Sequence, residues 1–81
     1  MKVKILDIRP LNSSLEVRLQ FLDDSLTVLG ERAYTTGLVS GISLAAGKAW
    51  LKARIADFKA EQDTTSRYSA FKGQTFDETQ L

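Results

Sequence analysis

The chain has 81 residues, 43% of them hydrophobic and 26% charged, and its 11 basic and 10 acidic side chains leave a formal charge of +1. This length accommodates one domain of ordinary globular composition. The chain has no Cys and no His, which excludes disulfides and thiolate metal sites and removes the commonest metal ligand and general base. The balanced charge argues against nucleic acid as the main partner. No apolar stretch approaches the roughly 20 residues that span a bilayer, so we expect no membrane partner and a cytoplasmic protein.

The first half of the chain predicts three strands. Residues 2–9 are rich in Val, Ile and Leu and end at Pro10, which suits a strand end. Residues 15–22 alternate apolar and polar side chains, the pattern of a half-buried strand. Residues 26–35 form a third candidate strand, with Leu26, Val28 and Tyr34 on one face and Gly30 at a bulge or a weak point. The short connections favour an antiparallel meander.

One long helix is predicted from Ser43, a suitable N-cap, to about Gln62. The predicted fold is α+β: a three-stranded antiparallel meander packed against this helix, with an extended C-terminal arm. We expect residues 1–63 to form the β-β-β-α domain and residues 64–81 to form the arm. The core is expected to join one face of the second strand to one stripe of the helix. Its predicted members are Leu15, Val17, Leu19, Phe21, Leu44, Leu51, Ile55 and Phe58.

Two surfaces have no role in this core and are candidates for protein–protein contacts. Small side chains gather opposite the apolar helix stripe, with Trp50 at their border, and would let a second helix approach closely. Ala is also the best helix former, so these positions could equally be plain exposed helix. The polar tail carries aromatic residues, which a disordered tail usually lacks. The candidate partner-binding residues are Ala46, Ala49, Trp50, Ala53, Ala60, Tyr68, Phe71 and Phe76.

No pattern in the sequence predicts catalysis, a cofactor or a metal. Without His there is no ordinary catalytic triad, and Asp23 and Asp24 lie in a predicted turn, where Asp is expected for local hydrogen bonding. We therefore predict that the chain is not an enzyme. A core this small usually needs a disulfide, a metal or oligomerisation. Because only oligomerisation remains, we expect a homo-oligomer or a larger assembly.

The alternative function is a small regulatory or nucleic-acid-binding module. Its candidate contacts are Lys48, Lys52 and Lys59, which flank the apolar stripe of the predicted helix. Basic residues near aromatic ones can bind phosphates and stack on bases. The simpler interpretation is that these lysines extend along the edge of a packed helix with their charges in solvent.

The order of the strand at 2–9, the alternating strand at 15–22, the turn at Asp23 and Asp24 and the helix segment at 49–55 resembles small structural proteins encoded among bacteriophage head and tail genes. The resemblance covers most of the chain and lies in length and organisation. It implies a minor virion protein of the head, neck or tail, located in the virion. Such a subunit gains stability in an assembly, often by exchanging terminal arms.

Overall fold

The computed structural model describes all 81 residues and has the predicted α+β fold. Three strands form one antiparallel sheet in the order β1-β2-β3, and one long helix follows them. The elements are β1 (Lys2–Pro10), β2 (Ser14–Leu22), β3 (Val28–Gly37), α1 (Leu44–Ser69) and a short 3-10 helix (Glu78–Gln80). Residues 70–81 form turns, a short irregular segment and this last 3-10 helix, and all of them are exposed.

The central strand β2 forms the sheet side of the core, as its alternation predicts. Val17, Leu19 and Phe21 are buried on one face, while Arg18 on the other face is exposed and pairs with Asp7 in the ladder. Alternate residues of a strand point to opposite faces, so one set of side chains meets the helix and the other set meets solvent.

Strand β3 differs from its prediction because a bulge changes which face each residue occupies. Phe21 pairs with Gly30 but Leu22 pairs with Val28, so Leu29 is the extra residue. The bulge therefore lies one residue before Gly30, and Val28 falls on the face opposite Tyr34. Leu26 precedes the strand, in a turn with φ of 66°. The prediction that Leu26, Val28 and Tyr34 share a face was wrong.

Helix α1 begins as predicted and ends later. The Ser43 hydroxyl accepts a hydrogen bond from the Ala46 amide at 3.1 Å, which confirms the N-cap. The helix continues beyond Gln62 to Ser69. Arg67 donates to Asp63 at 2.9 Å one turn earlier, an arrangement that supports a helix through residues of poor helix propensity.

The core is one small cluster in which the helix meets the sheet at Phe58. Its ring is stacked on that of Phe21, with centroids 4.2 Å apart and planes 3° from parallel. Leu51 and Ile55 pack against this cluster and stay half-buried. Leu44 is 75% exposed, so its predicted place in the core was wrong. The first turn of the helix lies beside the inner face of the sheet without packing onto it, because an open cavity separates the two.

The molecule is long and open for its mass. Its radius of gyration is 17.0 Å, and its principal extents are 54, 34 and 19 Å. A compact domain of this length has a radius of gyration of about 12 Å. Only four of the 81 residues are buried, because much of the helix projects beyond the three strands.

Candidate assembly surfaces

The side of the helix that faces the sheet carries an aromatic and cationic stack beside the core. Trp50 is half-buried and meets Tyr34 edge-on, with ring centroids 6.4 Å apart. The guanidinium carbon of Arg54 lies 5.1 Å from the Trp50 ring centre and 5.6 Å from that of Tyr34, within range of a cation–π attraction. Burial raises the pKa of the Tyr34 hydroxyl. Trp50 therefore lies at the edge of the core, and sequence reasoning missed the contribution of Arg54.

A second cationic contact joins β3 to the middle of the helix. The Arg32 Nε donates to Glu61 Oε1 at 3.0 Å, and the guanidinium carbon lies 5.3 Å from the centre of the Phe58 ring. The hydrogen bond from Arg32 lowers the pKa of the Glu61 carboxyl, and the same bond raises the pKa of Arg32. The ion pair holds the helix against β3 close to Phe58, the one buried residue of the helix.

An apolar groove opens between the first turns of the helix, the loop before it and the inner face of the sheet. Its volume is about 490 Å³ and ten of its 13 lining residues are hydrophobic. Several of them are strongly exposed, including Ile8 (54%), Val39 (64%) and Ile42 (57%). The lining residues are Ile5, Ile8, Leu15, Val17, Thr36, Gly37, Val39, Ile42, Leu44, Ala46, Gly47, Trp50 and Leu51. We call this surface the apolar groove.

A separate apolar surface lies at the other end of the helix. Phe71 meets Tyr68 and Phe76 edge-on, with ring centroids 6.3 and 5.5 Å apart. Together with Leu81 they surround a second open cavity. All four side chains are exposed, Leu81 at 91% and Phe76 at 41%. We call Tyr68, Phe71, Phe76 and Leu81 the aromatic cluster.

The structure divides the predicted partner-binding residues between three surfaces. Ala46 and Trp50 line the apolar groove. Tyr68, Phe71 and Phe76 form the aromatic cluster. The remaining three alanines lie on the exposed back of the helix and line neither cavity. These alanines are Ala49, Ala53 and Ala60.

Sequence reasoning missed most of the groove because its walls come from distant parts of the chain. Ile5 and Ile8 belong to β1, whereas Val39 and Ile42 belong to the loop before the helix. Each of them reads as an ordinary apolar residue in the sequence. A register shift between Ile5 and Asp7 breaks the alternation of β1. It brings both isoleucines to the inner face of the sheet, in a part that the helix does not cover.

The remaining polar features are accounted for by local structure. Asp23 Oδ1 accepts from the Thr27 amide at 2.9 Å and from the Ser25 hydroxyl and amide at 2.9 and 3.0 Å. These bonds lower the pKa of the Asp23 carboxyl, as expected for a carboxylate that accepts several hydrogen bonds. No three metal-ligating side chains come together.

Neither a membrane-spanning helix nor a match to a known protein is found for this chain. The helix lacks a stretch apolar enough to cross a bilayer. No family model, curated protein or solved structure matches the chain.

Proposed function

We propose that the chain is a non-enzymatic structural or adaptor subunit that acts by assembling with other protein chains. The first partner that we propose is another copy of the same chain. The observation that carries the proposal is its exposed surface of 6369 Å². A folded monomer of 9.0 kDa exposes about 4,900 Å². The excess, about 1,500 Å², is about twice the roughly 800 Å² that one chain buries in a standard protein–protein interface.

The composition of that surface supports the same function. Soluble monomers rarely expose large contiguous apolar patches, and such patches usually mark interaction sites. Here the apolar groove and the aromatic cluster are both uncovered, while the core holds only four buried side chains.

A place in a bacteriophage particle is the more specific form of this proposal. It rests on the resemblance in organisation to small head and tail proteins, and it would locate the chain in the cytoplasm during assembly and in the virion afterwards. Such particles are built from many copies of small subunits. This suits a chain that has a small buried core and large exposed apolar surfaces.

Light scattering coupled to size-exclusion chromatography tests the assembly function. We expect a molar mass that is a multiple of the chain mass and that falls on dilution. A chain that stays monomeric at every concentration, alone and with the proteins encoded beside it, would contradict the proposal.

The second candidate function is nucleic-acid binding by the basic side of the helix. Lys48, Lys52 and Lys59 are exposed, share one side of the helix by their spacing of four and seven residues, and enter no ion pair. In a mobility-shift assay at low salt, where non-specific binding is strongest, the chain should retard DNA or RNA and the triple Lys→Gln variant should not. Absence of retardation by the wild-type chain would eliminate this function.

A further inference from the structure

The apolar groove and the aromatic cluster lie too far apart to cover each other within one chain. The groove includes Leu44, in the first turn of the helix, and the cluster begins at Tyr68. At a rise of 1.5 Å per residue, these two positions are separated by about 36 Å. The continuous helix between them keeps them apart, so each surface needs its cover from another molecule.

The surface areas match two contacts per chain. A standard interface removes about 800 Å² from each partner. One such contact would remove only about half of the excess surface of about 1,500 Å². Two contacts per chain, one at each end of the helix, would remove about 1,600 Å², which accounts for the whole excess.

The two surfaces also differ in charge. The helix turn that lines the groove has no acidic residue, and Lys48 lies one turn after Leu44 on the same side. The N-terminal, positive end of the helix dipole also lies at the groove. Beside the aromatic cluster, Asp77 caps the 3-10 helix and Glu78 opens it, and these two carboxylates outnumber the one cation there without an ion pair, Lys72. Groove against groove would bring like charges together, whereas groove against cluster brings opposite charges together.

We propose that copies of this chain associate head to tail, with the aromatic cluster of one copy seated in the apolar groove of the next. The inference rests on the proposed assembly function and adds which two surfaces meet. A single kind of contact then covers both surfaces. Because this contact is heterologous, it closes into a ring if the rotation between copies allows and otherwise continues as a filament.

Two single substitutions separate the surfaces. Ile42→Asp places a charge in the groove, and Phe71→Asp places one in the cluster. Both side chains are at least half exposed, so the fold should survive, and circular dichroism checks this. Leu26→Asp is the matched control, because Leu26 is 63% exposed in the turn between β2 and β3, outside both surfaces.

Light scattering on the separate variants and on their mixture then distinguishes the arrangements. We expect the wild-type chain and Leu26→Asp to form the same oligomer, and each of the other two variants to be monomeric alone. Their equimolar mixture should form a dimer and nothing larger, since it contains one intact groove and one intact cluster per pair. A doubling of mass on mixing is expected only if the groove and the cluster bind each other.

Other outcomes overturn the inference in separable ways. If the wild-type chain is oligomeric but the mixture stays monomeric, the head-to-tail contact is wrong while assembly stands. The same holds if Phe71→Asp alone keeps the wild-type mass, which would indicate groove-to-groove pairing. If the wild-type chain is monomeric, both self-assembly and the head-to-tail contact are wrong. The groove would then bind a different protein or an apolar ligand.

Cysteine cross-linking reports directly which surfaces lie close together between copies. The chain has no Cys of its own, so Val39→Cys in the groove and Phe76→Cys in the cluster each introduce one thiol. Under mild oxidation, the mixture of the two variants should give the disulfide-linked heterodimer in preference to either homodimer. Cross-linking of Val39→Cys with itself at equal or greater yield would overturn the arrangement.

Discussion

Gly30 is the position where the helix and the sheet approach most closely. It pairs with Phe21 across the ladder, and a Cβ at this residue would lie 3.2 Å from two atoms of the Phe58 ring. The missing side chain lets that ring lie flat over the strand and stack on Phe21. A glycine that sequence reasoning assigned to a bulge therefore makes room for the main aromatic contact of the core.

Substitution of Gly30 by Ala should destabilise the fold. The new methyl group is too close to the Phe58 ring, so the ring must move from its stacked position, and overpacking of this kind costs about 1–3 kcal/mol. Gly37→Ala is the matched control, because nothing lies within 4 Å of a Cβ there and its φ is not positive. Urea unfolding monitored by Trp50 fluorescence measures both. Equal midpoints for the two variants would contradict the role of Gly30.

The carboxyl of Asp23 should make stability depend on pH at the acid end. Its pKa in the folded chain is lowered, chiefly by the hydrogen bonds from the Thr27 amide and the Ser25 hydroxyl. Protonation is therefore easier in the unfolded chain, where the pKa is about 4. The stabilisation is present above that value and is lost as pH falls toward the lower folded-state pKa.

The Asp23→Asn variant isolates this effect, because Asn keeps the acceptor oxygen and loses the charge. Below about pH 4, the free energy of unfolding should fall less steeply for Asp23→Asn than for the wild-type chain, and Ser25→Ala should lie between them. Urea titrations at a series of pH values provide the measurement. Parallel acid limbs for all three chains would show that the turn does not contribute.

At the scale of the elements, the sequence predicts the sheet better than the helix. The alternation in β2 depends only on which face is buried, so Val17, Leu19 and Phe21 were correctly placed in the core. The helical stripe gives a direction but not how closely each turn of the helix approaches the sheet. Phe58 packs on the strands and is buried, whereas Leu44 borders an open cavity beside them and is exposed.

Contacts between distant residues explain what the sequence could not predict. The ion pair of Arg32 with Glu61 and the position of Arg54 over two rings depend on how the helix crosses the sheet. The later helix end at Ser69 depends on local pairs, such as that of Asp63 with Arg67, that compensate for poor propensity. Of the candidate surfaces, the aromatic cluster contains tail residues that the composition indicated, whereas most of the residues of the groove gave no signal in the sequence.

The last turns of the helix should be its least stable part in the isolated chain. Every residue from 59 to 69 is exposed, and the last hydrogen bond and ion pair of the helix with the sheet are at Glu61. A helix segment without tertiary packing is marginal in water. In dilute solution, amide hydrogen exchange should be much faster at residues 64–69 than at residues 54–58. Equal protection along the helix would contradict this.

At the scale of the whole molecule, the small core implies that folding and assembly are coupled. The four buried side chains belong to a domain that leaves an apolar surface exposed at each end of the helix. Any copy that binds the folded chain but not the unfolded one stabilises the fold by mass action. Domains of this size are otherwise only marginally stable.

The thermal midpoint should therefore rise with protein concentration. Above the dissociation constant, each tenfold increase adds up to about 1.4 kcal/mol, and about 1 kcal/mol moves the midpoint of a domain of this size by roughly 4–8 °C. Differential scanning fluorimetry over two decades of concentration measures the slope. Ile42→Asp and Phe71→Asp should each give a flat line at the wild-type dilute limit, and their mixture should recover part of the slope. A wild-type midpoint independent of concentration would mean that the small core stabilises the chain without a partner copy.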